Sequence, residues 1–132
     1  MNYWIQNLVP HGAPEEIGVI QLAWLGDAVW ELHQRLRHVH IPLKSKDLHL
    51  SVVNEVKAKA QSNSLSQIEH LLNPCEIDLI RRARNKTKRY PKSADPSIYS
   101  RATGFETLIG FLFLKDPERL SKLFEYLDIK LK

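Results

Sequence analysis

Two acidic side chains stand alone in apolar surroundings. Asp27 is the only charged residue between Ile17 and Trp30, within the run LAWLGDAVWEL, and Glu106 is the only one between Ala102 and Leu114, within ATGFETLIGFLFL. An ionised carboxylate buried without a partner costs several kcal/mol, so each acid needs a reason to be there. Three reasons are open: a raised pKa that keeps the acid neutral, a pair with Arg or Lys, or a cation shared by the two acids. The nearest bases along the chain are Arg101 and Arg35, which leaves local pairing short of candidates. A shared divalent cation accounts for both acids at once. Carboxylate oxygens suit Mg²⁺, which keeps several waters and takes one or two protein carboxylates together with substrate phosphate oxygens. A glycine accompanies each acid, Gly26 directly before Asp27 and Gly110 one turn after Glu106. Glycine on a helix face lets another backbone or a ligand come close, at a helix cost of roughly 1 kcal/mol.

Other chemistry is thinly represented. Glu31 lies four residues after Asp27 and four before Arg35, so it reads either as a further ligand or as half of a surface ion pair. His33, His38 and His40 have no metal-ligand spacing and read as surface or RNA-facing residues. No glycine-rich phosphate loop, Ser-His-Asp set or Cys-His pair is visible, which argues against nucleotide-binding and acyl-transfer chemistry. The lone Cys75 excludes an intrachain disulfide and fits a reducing compartment. The start MNYWIQNLVPHG has neither the basic flank nor the apolar core of a signal peptide, and the two most apolar runs are too short to span a bilayer. A soluble, cytoplasmic protein with no membrane partner is expected.

Charge points to a partner. The net charge is +4, but seven of the twelve residues in RRARNKTKRYPK, from Arg81 to Lys92, are Lys or Arg. Arg81, Arg82, Arg84, Lys86, Lys88, Arg89 and Lys92 favour an anionic partner. Nucleic acid stands ahead of a lipid surface because no amphipathic lipid-binding face accompanies them. Tyr90 in this block reads as a stacking residue or as a core or hinge residue.

The elements that must position these residues read as helices throughout. The 132 residues, 43% of them hydrophobic, suit one domain with a real core and a looser segment over 1–13. Pro14 is read as the start of a first helix through Ile17, Ile20, Trp24 and Ala28 towards Arg37, broken at Ile41-Pro42. A second helix is expected from about Lys46, with Leu48, Val52, Val53, Val56 and Ala60 inward, and a short third piece over Leu65 to Leu72. Asn73-Pro74, Asp95-Pro96 and Asp116-Pro117 each supply a cap followed by proline at the first helical position. They predict helices to about Asn85, to Leu114, and onward with Leu120, Leu123, Phe124 and Leu127 inward. The expected fold is a compact all-α domain of five to seven helices.

LAWLGDAVWEL resembles the signature helix of the ribonuclease III family, and GFETLIGFLFL resembles that family's second acidic helix. The stretches KDLH, VKAKAQ and RRARNKTKRYPKSADPSIYSRATGFETLIGFLFL resemble, in order, the short bacterial branch known as Mini-ribonuclease III. That branch consists of the catalytic domain without a double-stranded-RNA-binding domain. The resemblance implies endonucleolytic hydrolysis of double-stranded RNA, giving 5′-phosphate and 3′-hydroxyl ends. For the branch, it implies maturation of the 23S large-subunit ribosomal RNA precursor. Asp27 matches the family's signature aspartate and Glu106 the glutamate that completes its metal site, which makes both catalytic ligands of Mg²⁺, with Mn²⁺ able to substitute. Full-length members carry two further acids at the positions of Ala23 and Thr103, so a thinner shell with more water is expected here.

Cutting both strands needs two sites, and the resemblance implies a two-fold homodimer built on the signature helices. Trp24 matches the aromatic residue that docks into the neighbouring subunit; its other reading is a plain core residue. A ribosomal protein that shapes the substrate is a further expected partner. Two other functions stay open at this point. One is a catalytically silent RNA-binding protein of the same fold in ribosome assembly, and the other is a helical dimerisation module whose acids are structural.

Overall fold

A computed structural model describes residues 4–42, 44 and 54–130. Among these the chain is all-α: α1 (Trp4–Leu8), α2 (Val19–His38), α3 (Asn54–Ile68), α4 (Pro74–Lys86), α5 (Pro96–Lys115) and α6 (Pro117–Lys130). Short 3₁₀ turns at Pro14–Glu16 and Glu69–Leu71 complete the elements. Two boundaries differ from the sequence reading. Pro14 opens the 3₁₀ turn and not the long helix, because Ile17 and Gly18 are extended and α2 starts afresh at Val19. The expected second and third pieces are one continuous helix, α3, from Asn54 to Ile68; the expected portion before Asn54 lies outside the described residues. Ala60, expected inward, is exposed, and the buried side of α3 runs instead through Gln61, Ser62, Ser64, Leu65 and Ile68.

The helix starts follow from their caps. Asn73 and Glu76 form a reciprocal capping box at α4, with bonds of 2.8 and 2.9 Å, an arrangement in which the cap is worth about 1 kcal/mol. Asp95 accepts from the Ser97 and Ile98 N–H groups at α5. The Glu76 carboxylate is also clamped by Arg119 of α6 at 2.6 and 2.7 Å. Burial alone would raise its pKa, but the guanidinium and the Asn73 N–H hold it below the ordinary value.

Helix α5 is central. It packs against α2, α3, α4 and α6, with Phe105, Leu108, Ile109 and Leu112 buried to 2% exposure or less. Trp30 of α2 meets Phe105 edge-on at a ring separation of 5.1 Å, and Leu65, Ile68, Leu120, Leu123 and Leu127 close the core. Each such side chain contributes about 1.5–3 kcal/mol by leaving water. Phe124, half-buried, stacks on His33 at 4.2 Å, and His33 also reaches Asp128 at 3.0 Å. His33 is therefore a packing residue and not a surface or RNA-facing one.

Helices α2 and α5 cross in close backbone contact. A methyl group on Gly26 would stand 1.8 Å from the Glu106 carbonyl oxygen, and one on Gly110 would stand 2.0 Å from that of Leu22. Two backbones therefore touch where only hydrogen fits. The Thr107 hydroxyl adds a tie, within hydrogen-bond reach of the carbonyls of Val19 and Thr103 at 3.0 and 2.9 Å. This crossing sets Asp27 beside Glu106.

Candidate active site

Asp27 and Glu106, separated by 79 positions in the chain, are set side by side by the α2–α5 crossing, near enough for the Asp27 carboxyl to raise the Glu106 pKa. Asp27 is open to solvent along much of its side chain, yet its Oδ1 is withdrawn from water and has no aligned hydrogen-bond donor. The neighbour of that oxygen is the ammonium of Lys57, at ion-pair contact. Lys57 also donates to Glu31 Oε1 at 3.0 Å. One turn further along α3, the buried Gln61 amide donates to Glu106 Oε2 at 3.2 Å. Helix α3 thus presents one residue to each acid.

The electrostatics follow from this arrangement. Burial, then the adjacent Asp27 carboxyl, push Glu106 up to about 8, against the smaller opposing effects of the Gln61 amide and the Lys57 charge. Burial alone would lower the Lys57 pKa, but its bonds to Asp27 and Glu31 outweigh that and raise it, so the ammonium stays charged. At neutral pH the site therefore holds a largely protonated glutamate and a lysine cation beside Asp27.

Those residues fit a divalent ion. One Asp27 oxygen is withdrawn from solvent and already holds a cation, the Lys57 ammonium, and Glu106 keeps its proton because it is desolvated beside a second carboxyl group. Among the described residues no group of three or more His, Cys, Asp or Glu is arranged to hold a metal. The protein offers two carboxylates, the number Mg²⁺ accepts when water and phosphate oxygens complete its shell.

A pH dependence follows. Glu106 titrates higher in the folded chain than in the unfolded one, so the folded state holds the extra proton between about 4.5 and about 8. Its contribution is fully present below the ordinary carboxylate value and is lost as pH rises through about 8. In EDTA, urea unfolding is expected to show stability falling by up to about 1.4 kcal/mol per pH unit between pH 5 and pH 8. Glu106→Gln should remove that slope. The depressed Glu76 acts in a separate, more acidic window, where its contribution disappears as pH falls.

The basic block divides. Arg81 and Arg82 are tied to Asp78 at 2.6 and 3.1 Å, and Arg84 donates to Ser100 Oγ of α5 at 3.1 Å. Lys86, Lys88, Arg89 and Lys92 are exposed and form no ion pair among the described residues. Tyr90 donates to the Thr87 carbonyl at 2.6 Å and packs edge-on against Tyr99, so it anchors the segment.

Lys57 and Gln61 were not assigned roles from sequence, and the bases named there pair elsewhere. Arg101 binds Glu69 at 2.6 Å together with Ser62 and Ser66, and the exposed Arg35 lies 3.8 Å from Glu31. The available signal was VKAKAQ, which sets Lys57 and Gln61 four residues apart on one helix face. Glu31 pairs with Lys57 as well as with Arg35, so it is more than a surface ion pair. Trp24 is 82% exposed and so is no part of this chain's core.

Comparison with known proteins yields consistent matches. The model of the Ribonuclease III domain family matches residues 20–117. The Mini-ribonuclease 3 of Synechococcus sp. is 39% identical over 89% of this chain and 85% of its own length. That of Gloeobacter violaceus is 42% identical over 81% of this chain and 79% of its own length. A protein of Fusobacterium nucleatum solved by X-ray crystallography superposes with a TM-score of 0.74 at 30% identity, covering 88% of this chain and 93% of that one.

Proposed function

The chain belongs to the Ribonuclease III domain family of endoribonucleases, and from that premise we propose that it hydrolyses double-stranded RNA with Mg²⁺ held by Asp27 and Glu106. Its proposed substrate is the 23S ribosomal RNA precursor. The observation that supports this most is the backbone-close crossing of the apolar helices α2 and α5, which sets one carboxyl group from each helix side by side. When bound there, the ion acidifies a water molecule and neutralises charge on the scissile phosphate.

The chain's own residues do the rest. To hold the ion Glu106 would give its proton to solvent water, and the Gln61 amide keeps its Oε2 oriented. The glycine crossing fixes the two acids against each other, so little reorganisation is needed at the moment of reaction. Duplex RNA hides its bases in a deep, narrow groove, so contact is with phosphates and 2′-hydroxyls. Lys86, Lys88, Arg89 and Lys92 supply phosphate contacts, while Arg81, Arg82 and Arg84 reach RNA only by sharing their present partners. Replacing both Lys88 and Arg89 with Ala is expected to weaken duplex binding about tenfold and to lower the log–log salt slope by roughly 1.5, read by filter binding across a salt series.

The dimer is part of the same reading. Ile20, Trp24, Leu32 and Leu36 are exposed along α2 at multiples of four residues, which leaves an uncovered apolar stripe. A second copy of the chain would cover it and place two sites on one duplex. Trp24→Ala is expected to weaken dimerisation by about thirtyfold or more in sedimentation equilibrium, since buried Trp anchors carry about 2 kcal/mol or more.

Cleavage is tested with a precursor RNA whose 23S ends form a duplex, beside a single-stranded RNA of equal length, in Mg²⁺ or in EDTA. Mg²⁺-dependent cutting of the duplex alone, leaving 5′-phosphate ends, is expected. Binding without cutting at any divalent-ion concentration would make the protein a silent RNA-binding relative.

A further inference from the structure

We infer that Lys57 occupies the divalent ion's place in the metal-free protein, and that its ammonium must leave Asp27 for the ion to bind. The inference rests on the reading of Asp27 and Glu106 as the ion's ligands and concerns what competes for them. Three observations carry it. The Lys57 ammonium sits on Asp27 Oδ1, a carboxylate oxygen withdrawn from solvent. It has a second acceptor, Glu31 Oε1 at 3.0 Å, on which it can remain after giving up Asp27. And its side chain is 16% exposed on a flexible stem, whereas Gln61, which serves Glu106 from the same helix, is buried to 1% and fixed.

An ammonium is a compact point charge with three donors, which makes it a reasonable monovalent stand-in for a metal ion. A cation already seated on a ligand oxygen opposes a second one arriving there, through both charge repulsion and the loss of an existing ion pair. Lys57 therefore keeps the carboxylates neutralised while the site is empty and lowers its affinity for the ion. A purely structural salt bridge would behave in the opposite way, since breaking it would loosen the site and weaken ion binding.

Titration of the metal-free full chain with Mn²⁺, with free ion counted by electron paramagnetic resonance, separates the two. Lys57→Met is expected to bind Mn²⁺ at least tenfold more tightly than wild type. Lys57→Arg, which keeps the charge, is expected to show no such gain. Lys57→Gln serves as a second neutral variant, and circular dichroism verifies that each is folded. In EDTA, Lys57→Met should melt below wild type, and saturating Mn²⁺ should close the gap. In wild type labelled with [ε-¹³C]lysine, one resonance, identified by its absence in either neutral variant, should move on Mn²⁺ addition. Equal or weaker Mn²⁺ binding by the folded neutral variants, or a Lys57 resonance that stays in place as the site fills, would overturn the inference. Failure of the underlying site reading looks different: Asp27→Asn would then bind Mn²⁺ as well as wild type does.

Discussion

Asp27→Asn is expected to lower RNA cleavage on the order of a thousandfold or more while leaving duplex binding and the fold intact, because it removes one of the two proposed ion ligands at nearly constant volume. Glu106→Gln should do the same to cleavage, and the two losses should not add, since each alone dismantles the pair. Single-turnover cleavage beside filter binding separates the chemical step from RNA affinity. The stability consequences differ between the two variants. Glu106 is half-buried and desolvated beside Asp27, and at pH 7 the folded protein holds it largely protonated, whereas the unfolded chain has it ionised. Replacing it with the neutral amide should therefore stabilise the metal-free protein, on the order of 2 kcal/mol at pH 7. An inactive variant that is more stable than the active protein is what a site built on opposed carboxyls predicts. Equal cleavage by wild type and Asp27→Asn would remove the chemical role of the pair.

Gly26→Ala should be the most damaging small substitution in the chain. Its added methyl would meet the Glu106 carbonyl oxygen at 1.8 Å, and the corresponding methyl on Gly110 would meet the Leu22 carbonyl at 2.0 Å. Both obstacles are backbone atoms inside helices, so relief requires α2 and α5 to separate along their whole contact. A loss of about 3 kcal/mol or more is expected from each, at the upper end of the overpacking range, and failure to fold is within it. If a variant folds, cleavage should fall further than stability alone explains, because the separation pulls Asp27 from Glu106. Gly104→Ala is a useful control. Its methyl would meet the Cγ2 methyl of Ile80 at 2.7 Å, a side-chain atom and not a helix backbone atom. Urea unfolding of the three variants should rank Gly104→Ala as the mildest. If Gly26→Ala were as mild, the two helices would not be in backbone contact.

What could be read from the sequence was what local chemistry encodes. The capped starts at Asn73-Pro74, Asp95-Pro96 and Asp116-Pro117 all begin helices, because a cap, a proline and an apolar face act within a few residues. The two isolated acids were conspicuous because burial makes a lone charge costly wherever the chain goes. Lys57 and Gln61 were hidden for the converse reason. On the polar helix α3 nothing local distinguishes a lysine that meets Asp27 from one that faces water, and only the packing of α3 on α5 selects Lys57. The same holds for Arg101, whose nearness in sequence to Glu106 suggested a pair, while its length and direction carry it to Glu69 and the serines of α3. The continuity of α3 was obscured because its buried side carries Gln61, Ser62 and Ser64, which leaves a weak apolar pattern.

The account stands most directly on where a divalent ion sits. X-ray diffraction at the manganese edge, from crystals of the protein equilibrated with Mn²⁺, locates it without reference to activity. The account predicts one anomalous peak bonded by oxygens of both Asp27 and Glu106, with the Lys57 ammonium off Asp27. A peak bound elsewhere, or no peak at saturating Mn²⁺ with Lys57 still seated on Asp27, would contradict it.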